Sequence, residues 1–230
     1  MKQFAKFIFL GLLAIGTLQA KPAAQEPKKE PELVVLSWEP RIFYYKNFLS
    51  DEECDYIIEK AKPELQRSTV VDSNSTEGKI DPVRTSQGMF FTSNITNPTI
   101  QKIEKRISDI THMPVENGES IQVLSYGHGA EYKPHHDYFE NVSLGGSSNL
   151  NRGGQRVLSF IMYLNTPKSG GETIFPKVDI KVKPKKGDAV LFYDCLPDGN
   201  EDPMTLHGGA PVLEGEKWIA TKWMRKGLFK

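Results

Sequence analysis

Two histidines and one aspartate are the residues whose types and spacing most directly suggest chemistry. Only His136 separates His135 from Asp137, and His207 lies much further along the chain. On a β-strand alternate side chains share a face, so His135 and Asp137 would point together and His136 would point away. If His207 returns on another strand, the three side chains predict a 2-His-1-carboxylate triad, the usual ligand set of non-haem Fe(II) oxygenases.

A His-x-Asp pair by itself is weak evidence, because a solvent-facing strand can carry the same two residues. The glycines after His207, Gly208 and Gly209, favour a metal site, since glycine lets the backbone approach a metal and a cosubstrate closely. A structural zinc site is less convincing because it requires a fourth ligand. Catalytic zinc bound by the same three residues remains an alternative.

Lys217 begins a segment in which Ile219, Thr221 and Trp223 are expected to share its strand face. A lysine on an otherwise apolar interior face requires an anionic partner. The alternative is an exposed strand end, where most lysines lie. Iron(II), Asp137 and Lys217 together carry two positive charges when the imidazoles are neutral. A dianionic 2-oxo acid would neutralise that charge, with its keto and carboxylate oxygens on the iron and its distant carboxylate on Lys217.

Two helices are predicted ahead of these residues. Ser50 and Glu53 form a capping box, and apolar residues that include Cys54 follow it with helical spacing. A disulfide between Cys54 and Cys195 stays open, because sequence does not give the required geometry. A second helix is predicted to begin at Asn97-Pro98 and to end at Met113-Pro114. Its buried stripe consists of Ile100, Ile103, Ile107 and Ile110.

From Glu119 onward the pattern changes to short strands separated by Gly, Pro, Asn and Ser. The predicted strands are 120–126, 135–139, 156–164, 179–183, 188–193 and 217–224. Many short strands after two helices predict a mainly β, α+β fold, either a β-sandwich or a jelly roll, with the N-terminal helices packed on one sheet. The polar stretches 73–82 and 143–154 are predicted to be mobile loops.

The charge balance excludes some classes of function. The chain has 29 Lys and Arg residues and 29 Asp and Glu residues, which gives a net charge of zero. This argues against nucleic-acid binding through phosphates and against a polybasic membrane-binding surface. Two cysteines are too few for a disulfide-dense scaffold or a four-cysteine zinc site.

The N-terminus is predicted to be a secretory signal peptide over residues 1–20. Lys2 and Lys6 precede an apolar run, and Ala20 ends the segment. The run is shorter than the roughly 20 residues of a membrane-spanning helix, so membrane contact is expected only if the segment remains as an uncleaved anchor. Residues 21–35 are predicted to be a flexible linker, and residues 36–230 to form one domain.

Three Asn-x-Ser/Thr sequons agree with export. They begin at Asn74, Asn94 and Asn141. Such short patterns also arise by chance, but the signal-like start favours a glycoprotein of the endoplasmic reticulum or secretory pathway.

A series of motifs from about Pro40 to the C-terminus carries a family resemblance. The motifs are Gln122-Val123-Leu124-Ser125-Tyr126-Gly127, Tyr132-Lys133-Pro134-His135-His136-Asp137, Gly153-Gly154-Gln155-Arg156-Val157, Gly170-Gly171-Glu172-Thr173-Ile174-Phe175-Pro176, Pro184-Lys185-Lys186-Gly187-Asp188-Ala189, Leu206-His207-Gly208-Gly209 and Gly215-Glu216-Lys217-Trp218-Ile219-Ala220-Thr221-Lys222-Trp223. Together they resemble the catalytic domain of the prolyl 4-hydroxylases, which are Fe(II)- and 2-oxoglutarate-dependent dioxygenases.

The resemblance implies a double-stranded β-helix fold of the compact, single-domain type found in plants and algae. It also implies that His135, Asp137 and His207 bind Fe(II), and that Lys217 holds the far carboxylate of 2-oxoglutarate. The implied activity is that of a procollagen-proline 4-dioxygenase-like oxidoreductase, which hydroxylates proline in proline-rich or collagen-like polypeptides. The expected co-products are succinate and CO₂, and ascorbate is expected to rescue enzyme that was oxidised in uncoupled turnover.

The remaining site residues are also implied by the resemblance. The hydroxyls of Tyr126 and Thr173 are expected to assist Lys217, and Tyr132, Arg156 and Trp223 are expected to line the peptide groove. From the residues alone, Tyr126 and Trp223 could instead be core aromatics, Thr173 a turn residue, and Arg156 an ordinary surface charge.

The chain departs from the family pattern at two positions. Ala210 stands where many relatives have a Cys, so a family disulfide is not expected. Arg225 stands where some relatives have a His near the peptide groove, which leaves the substrate preference open.

Two rival functions are considered. A lysyl or other peptidyl hydroxylase is disfavoured because several such groups use an Arg in the role given to Lys217. A non-catalytic jelly-roll binding module is disfavoured because it would be expected to have lost the triad or the carboxylate anchor.

Overall fold

The computed structural model of the protein describes residues 31–71, 78–92, 97–140 and 144–230. The predicted signal peptide, most of the predicted linker and the asparagines of all three sequons lie outside these residues. Within the described part of the chain, no helix is long and apolar enough to span a membrane.

Short antiparallel strands dominate the fold. They are β1 (Glu32–Trp38), β2 (Arg41–Lys46), β3 (Gln66–Arg67), β4 (Val70–Val71), β5 (Gly78–Lys79), β6 (Gln87–Phe90), β7 (Gln122–Tyr126), β8 (Tyr132–His135), β9 (Arg156–Tyr163), β10 (Ser169–Gly170), β11 (Thr173–Phe175), β12 (Ile180–Val182), β13 (Ala189–Phe192), β14 (His207–Gly209), β15 (Val212–Glu214) and β16 (Lys217–Arg225). The α-helices are α1 (Asp51–Ala61), α2 (Pro98–Thr111) and α3 (Leu144–Leu150), and short 3₁₀ helices cover Lys62–Glu64, Val115–Asn117 and Pro203–Thr205.

The strands form two main sheets. The large sheet has the order β1-β2-β13-β9-β16-β7-β6-β3, and the small sheet has the order β12-β11-β14-β8. A cluster of buried side chains from both sheets fills the space between them, including Ile161, Tyr163 and Ile219 from the large sheet and Phe175 and Val182 from the small one. This two-sheet arrangement confirms the predicted jelly roll.

The opposite face of the large sheet packs against the helices. Along β9, Leu158, Phe160 and Met162 belong to this helix-side core, whereas Ile161 and Tyr163 belong to the core between the sheets. The alternation follows from the two-residue period of a strand. The large sheet is therefore buried on both faces, with the N-terminal helices on one side as predicted.

Both predicted helix starts are confirmed. The Ser50 hydroxyl accepts from Glu53 N at 3.1 Å, and the Glu53 carboxylate accepts from Ser50 N at 3.0 Å, which completes the capping box. Asn97 caps α2 by accepting from the amides of residues 99 and 100. The α2 helix ends at Thr111, two residues before the predicted end, because His112 adopts a left-handed backbone conformation with φ of 55°.

Three boundary predictions are wrong. The linker does not extend to residue 35, because β1 begins at Glu32 and pairs with β2. The segment 143–154 is not simply a loop, because α3 occupies Leu144–Leu150. The predicted strand 135–139 ends at His135, because β8 pairs with β14 over Tyr132–His135 and the chain then bends. Cys54 and Cys195, whose pairing was left open, are both buried free cysteines.

Candidate metal centre

Strands β8 and β14 bring His135 and His207 together as direct antiparallel partners. Gly208 allows this close approach, because a Cβ there would lie 2.8 Å from the carbonyl oxygen of Tyr132, closer than real Cβ contacts. The glycine therefore serves the contact between two strands. Gly209 faces the neighbouring cavity, and a Cβ at that residue would lie 3.6 Å from Lys217 Nζ.

The three predicted ligands converge although Asp137 follows the end of β8. His135 Nε2 lies 3.5 Å from Asp137 Oδ1, and His207 Nε2 lies 3.5 Å from Asp137 Oδ2. One ligand atom from each residue lies within 4.8 Å of the others, and no other such group of His, Cys, Asp or Glu is found in the described residues. Metal–ligand bonds of about 2.0–2.2 Å require separations of this size.

Hydrogen bonds to the backbone leave both imidazoles ready to bind a metal. Nδ1 of His135 lies 2.8 Å from the carbonyl oxygen of Lys133, and Nδ1 of His207 lies 3.1 Å from that of Thr205. A carbonyl oxygen only accepts, so the proton sits on Nδ1 and the Nε2 lone pair is free. Burial lowers the pKa of His207 to about 4, which keeps the ring neutral at physiological pH. These residues fit a divalent metal ion.

The Asp137 carboxylate is held by two further donors. Trp223 Nε1 donates to Asp137 Oδ2 over 2.8 Å, and the Ser159 hydroxyl lies 2.7 Å from the same oxygen. Burial alone would raise the pKa of this carboxyl, but the neighbouring imidazoles of His207 and His135 hold it well below its usual range. Asp137 therefore provides the negative charge of the site. His136 points elsewhere and contacts the Pro203 carbonyl oxygen through Nε2 at 3.1 Å.

Lys217 lies in a cavity that adjoins the three ligands. The cavity is lined by Arg84, Leu124, Tyr126, Tyr132, His135, Asp137, Ile161, Thr173, His207, Gly208, Gly209, Lys217, Ile219, Thr221 and Trp223. Only 2% of Lys217 is exposed, and no ion pair to its ammonium is found among the described residues. Burial lowers its pKa to about 8. Lys217 is thus a buried cation that no acidic side chain in the described part of the chain pairs with, which contradicts the alternative of an exposed strand end.

Tyr126 and Thr173 line the same cavity as Lys217. The Lys217 ammonium is 5.4 Å from the centroid of the Tyr126 ring. Burial raises the pKa of Tyr126, so its hydroxyl remains a donor. The hydroxyl of Tyr163 donates to Thr173 Oγ1 over 2.8 Å, which leaves the proton of Thr173 available for another acceptor. The cavity therefore presents one ammonium and two hydroxyls to an anion.

The three residues predicted to line a peptide groove occupy different places. Tyr132 lines the cavity and stacks on the His135 imidazole with a centroid separation of 3.6 Å. Trp223 also lines the cavity. Arg156 does not, because it lies behind Trp223 with its guanidinium carbon 3.8 Å from the ring centroid. It donates to both carboxylate oxygens of Glu119, over 2.6 and 2.9 Å, and is not an ordinary surface charge.

Sequence reasoning missed several residues of this site. Arg84 lines the cavity with its guanidinium carbon 4.8 Å from the centroid of the Tyr132 ring, yet it lies in an irregular segment without a pattern. Ser159 and Tyr163 were within reach, because they alternate with apolar residues on the predicted strand 156–164 and so share a face with Ile161. No sequence pattern pointed to Glu119, because this residue precedes the predicted strand 120–126 and lies outside its alternation.

The fold and the site agree with the comparisons to known proteins. The model of the 2OG-Fe(II) oxygenase superfamily matches residues 121–225. The chain is 46% identical to a probable prolyl 4-hydroxylase 3 of Arabidopsis thaliana over 85% of this chain and 73% of the relative. It is 50% identical to prolyl 4-hydroxylase 1 of the same plant over 86% of this chain and 72% of the relative.

A solved structure is similar as well. The viral collagen prolyl hydroxylase of Paramecium Bursaria Chlorella virus-1, in its 2-oxoglutarate complex, aligns with a TM-score of 0.63 and 30% sequence identity. The alignment covers 80% of this chain and 95% of the viral chain. The residues matched by the family model, 121–225, include the three ligands and Lys217.

Proposed function

Because this chain belongs to the prolyl 4-hydroxylases of the 2OG-Fe(II) oxygenase superfamily, we propose that it hydroxylates proline within proline-rich or collagen-like polypeptides of the secretory pathway. The enzyme is a 2-oxoglutarate-dependent oxidoreductase that uses Fe(II). The observation that carries the proposal is the buried Lys217 beside the His135, Asp137 and His207 cluster. A buried cation that forms no ion pair with the described residues, next to a triad of metal ligands, fits a cosubstrate that has carboxylates at both ends.

Each residue is given one task. Nε2 of His135, Nε2 of His207 and the Asp137 carboxylate hold the iron. When bound, iron together with 2-oxoglutarate and O₂ supplies an oxidative decarboxylation that releases succinate and CO₂ and places one oxygen atom on the proline ring. Lys217 pairs with the distant carboxylate of 2-oxoglutarate, which compensates both buried charges.

The hydroxyls of Tyr126 and Thr173 donate to the same carboxylate. These two hydrogen bonds fix the orientation of the carboxylate. Lys217 compensates its charge but does not orient it, because an ammonium is a point charge on a flexible stem. The apolar side chains of Leu124, Ile161 and Ile219 on the cavity wall exclude water from the reacting atoms.

The peptide is proposed to enter past Tyr132 and Trp223. Both are aromatic side chains on the cavity wall, and an aromatic-lined groove suits a proline-rich chain in its extended polyproline II conformation. Arg156 packs behind the Trp223 ring. It is therefore proposed to position Trp223 and not to contact the peptide. This differs from the role that the family resemblance implied for it.

Export is the basis for the proposed class of substrate. The signal-like residues 1–20 and the three sequons support a secreted or endoplasmic-reticulum enzyme that meets extracellular-type polypeptides. Expression of the full chain in a eukaryotic cell tests this proposal. An enzyme of the secretory pathway is expected to show a glycosidase-sensitive mobility shift, and an unmodified cytosolic protein would contradict it.

Ascorbate is proposed to sustain turnover in the absence of peptide, when no proline is hydroxylated.

A peptide panel tests the substrate proposal. The protein is incubated with Fe(II), 2-oxoglutarate and a proline-rich, a collagen-like or a lysine-containing proline-free peptide, and mass spectrometry locates the added oxygen. Oxygen on proline, matched by succinate, is expected for at least one of the first two peptides. Oxygen on lysine would favour the rival hydroxylase, and no peptide-dependent succinate with any of them would favour the binding module. Asp137→Ala is the inactive control, and His136→Ala is its active match.

A further inference from the structure

Ser159 lies between two buried carboxyl groups, one of which belongs to Asp137. Ser159 Oγ is 2.7 Å from Asp137 Oδ2 and 2.9 Å from Asp194 Oδ2. Asp194 is fully buried, and 7% of Asp137 is exposed. A hydroxyl has one proton and donates one hydrogen bond. If both carboxyls were ionised, one of them would face the serine oxygen without any proton between the two atoms, so one carboxyl must carry a proton.

Asp137 is the carboxyl that stays ionised. It accepts a hydrogen bond from Trp223 Nε1 and lies 3.5 Å from the Nε2 atoms of both His135 and His207. The indole donor favours the negative charge, and a carboxyl that binds a metal as part of the triad is deprotonated.

Asp194 lacks comparable partners. Its Oδ1 has no hydrogen-bond partner, and no salt bridge to this residue is found within the described residues. Burial, followed by the charge of Asp137, raises the pKa of the Asp194 carboxyl well above its usual range. Arg156 opposes this shift only in part, because its guanidinium is already bound to Glu119. The proton of the pair therefore belongs on Asp194.

We propose that Asp194 is a positioning residue of the iron site, which as a neutral carboxylic acid donates to Ser159 Oγ, so that the Ser159 hydroxyl donates to Asp137. With Trp223 bound to the same atom, Asp137 Oδ2 then receives two hydrogen bonds and Oδ1 is left to face the metal. The inference rests on the proposed function, because it assigns the metal to this triad. It extends that function to two residues that do not line the cavity, Ser159 and Asp194.

The role predicts a specific pattern of metal affinity. Outer partners orient a ligand, and their loss typically costs about 10- to 100-fold in metal affinity. Ser159→Ala and Asp194→Ala should each show a loss of this size. Asp194→Asn should stay close to the wild type, because the side-chain amide can donate to Ser159 Oγ in place of the acid proton.

Infrared difference spectroscopy tests the protonation state directly in the metal-free protein. The wild type at neutral pH is expected to show the carbonyl stretch of a protonated carboxylic acid, and Asp194→Asn is expected to remove it. Asp188 gives the matched control: it is equally buried, but accepts hydrogen bonds from Tyr44 and from the amide of Asn47, so Asp188→Asn should remove a carboxylate band instead. Loss of a carboxylate band in Asp194→Asn would overturn the proposal. This comparison uses the isosteric variant, so it does not depend on the folding of Asp194→Ala.

A double-mutant cycle tests whether Asp194 acts through Ser159. Calorimetric titration with Mn(II) should show that Asp194→Ala weakens binding in the wild-type background and has no further effect in the Ser159→Ala background. Equal losses in both backgrounds, or no loss in either, would overturn the positioning role. Failure of the wild type to hydroxylate any peptide would count against the proposed function alone, because neither the infrared nor the Mn(II) measurement uses peptide.

Discussion

The indole Nε1 of Trp223 donates a 2.8 Å hydrogen bond to Oδ2 of Asp137. Trp223 is therefore shared between the aromatic wall of the cavity and the carboxylate ligand of the metal centre. Arg156 stacks on its ring and donates to Glu119, which also accepts from Arg225 Nε over 2.7 Å. A chain of contacts thus runs from two buried arginines, through the tryptophan, to the metal ligand.

Trp223→Phe is expected to weaken metal binding, because it keeps an aromatic ring in the wall but removes the donor to Asp137. The loss should approach the roughly 10-fold lower limit typical of an outer partner. Trp218 on the same strand is the matched control, because its side chain belongs to the helix-side core and its indole nitrogen has no partner in the described residues. Mn(II) titration of both variants checks the prediction, which is wrong if Trp218→Phe and Trp223→Phe bind the metal equally well.

Lys217→Ala is expected to weaken 2-oxoglutarate binding by more than a hundredfold. Breaking a buried charge pair costs about 3–5 kcal/mol, and every 1.4 kcal/mol is about tenfold in affinity. Lys217→Arg should also be impaired, because the planar guanidinium is broader than the ammonium and Gly171 and Gly209 pack against this side chain.

Lys222 provides the control for this prediction. It is as buried as Lys217 but faces α2, where it pairs with Glu104. Lys222→Met should therefore change stability and leave the 2-oxoglutarate dependence of succinate release intact. Normal cosubstrate dependence in Lys217→Ala would contradict the assignment, and metal binding should survive in all three variants.

The affinity for 2-oxoglutarate is expected to fall above about pH 8. Burial lowers the pKa of Lys217 from 10.5 to about 8 in the free protein, and the anion binds the ammonium form. Each further pH unit should weaken binding by up to about tenfold. Between about pH 8 and pH 10.5 the Lys217 amine is protonated in the unfolded chain but not in the folded protein. The contribution of Lys217 to the free energy of unfolding therefore rises with pH over this range. Calorimetric titration with 2-oxoglutarate from pH 6 to 9.5 measures the affinity. The same pH dependence in Lys217→Met would contradict the prediction, because it would show that another group titrates.

Glu119→Gln is expected to destabilise the fold by about 3–5 kcal/mol, because it leaves two buried guanidinium groups without their carboxylate. Glu119 binds Arg156 and Arg225, and its side chain is 10% exposed. The matched control is Glu214→Gln, which breaks the exposed pair with Lys168 and should cost less than about 1 kcal/mol. Urea unfolding of both variants gives the free energies. Equal stability of the two variants would mean that the buried cluster contributes no more than a surface pair.

Local sequence patterns were sufficient for much of this site. The two-residue alternation from Lys217 to Trp223 correctly placed four side chains toward one cavity, because β16 is a regular strand. The spacing of His135 and Asp137 also predicted their convergence, although the structure achieves it with a bend after β8 instead of a continuous strand. Alternation alone does not reveal where strand pairing ends.

Contacts between distant segments were not predictable in the same way. Ser159 and Asp194 meet only because β9 and β13 are neighbours in the large sheet. Gly-rich composition favoured a loop over 143–154, yet Arg225 binds the carbonyl oxygens of Asn149 and Gly154 and so ties α3 to the end of β16. Such tertiary contacts override local propensity.

The most direct test of the iron and cosubstrate assignment is diffraction at the iron absorption edge. Crystals of the protein would be loaded with Fe(II) and 2-oxoglutarate in the absence of oxygen. We expect one anomalous peak about 2 Å from Nε2 of His135, Nε2 of His207 and a carboxylate oxygen of Asp137, with the far carboxylate of 2-oxoglutarate on Lys217. Iron bound to other residues, or a cosubstrate whose far carboxylate lies away from Lys217, would contradict the account.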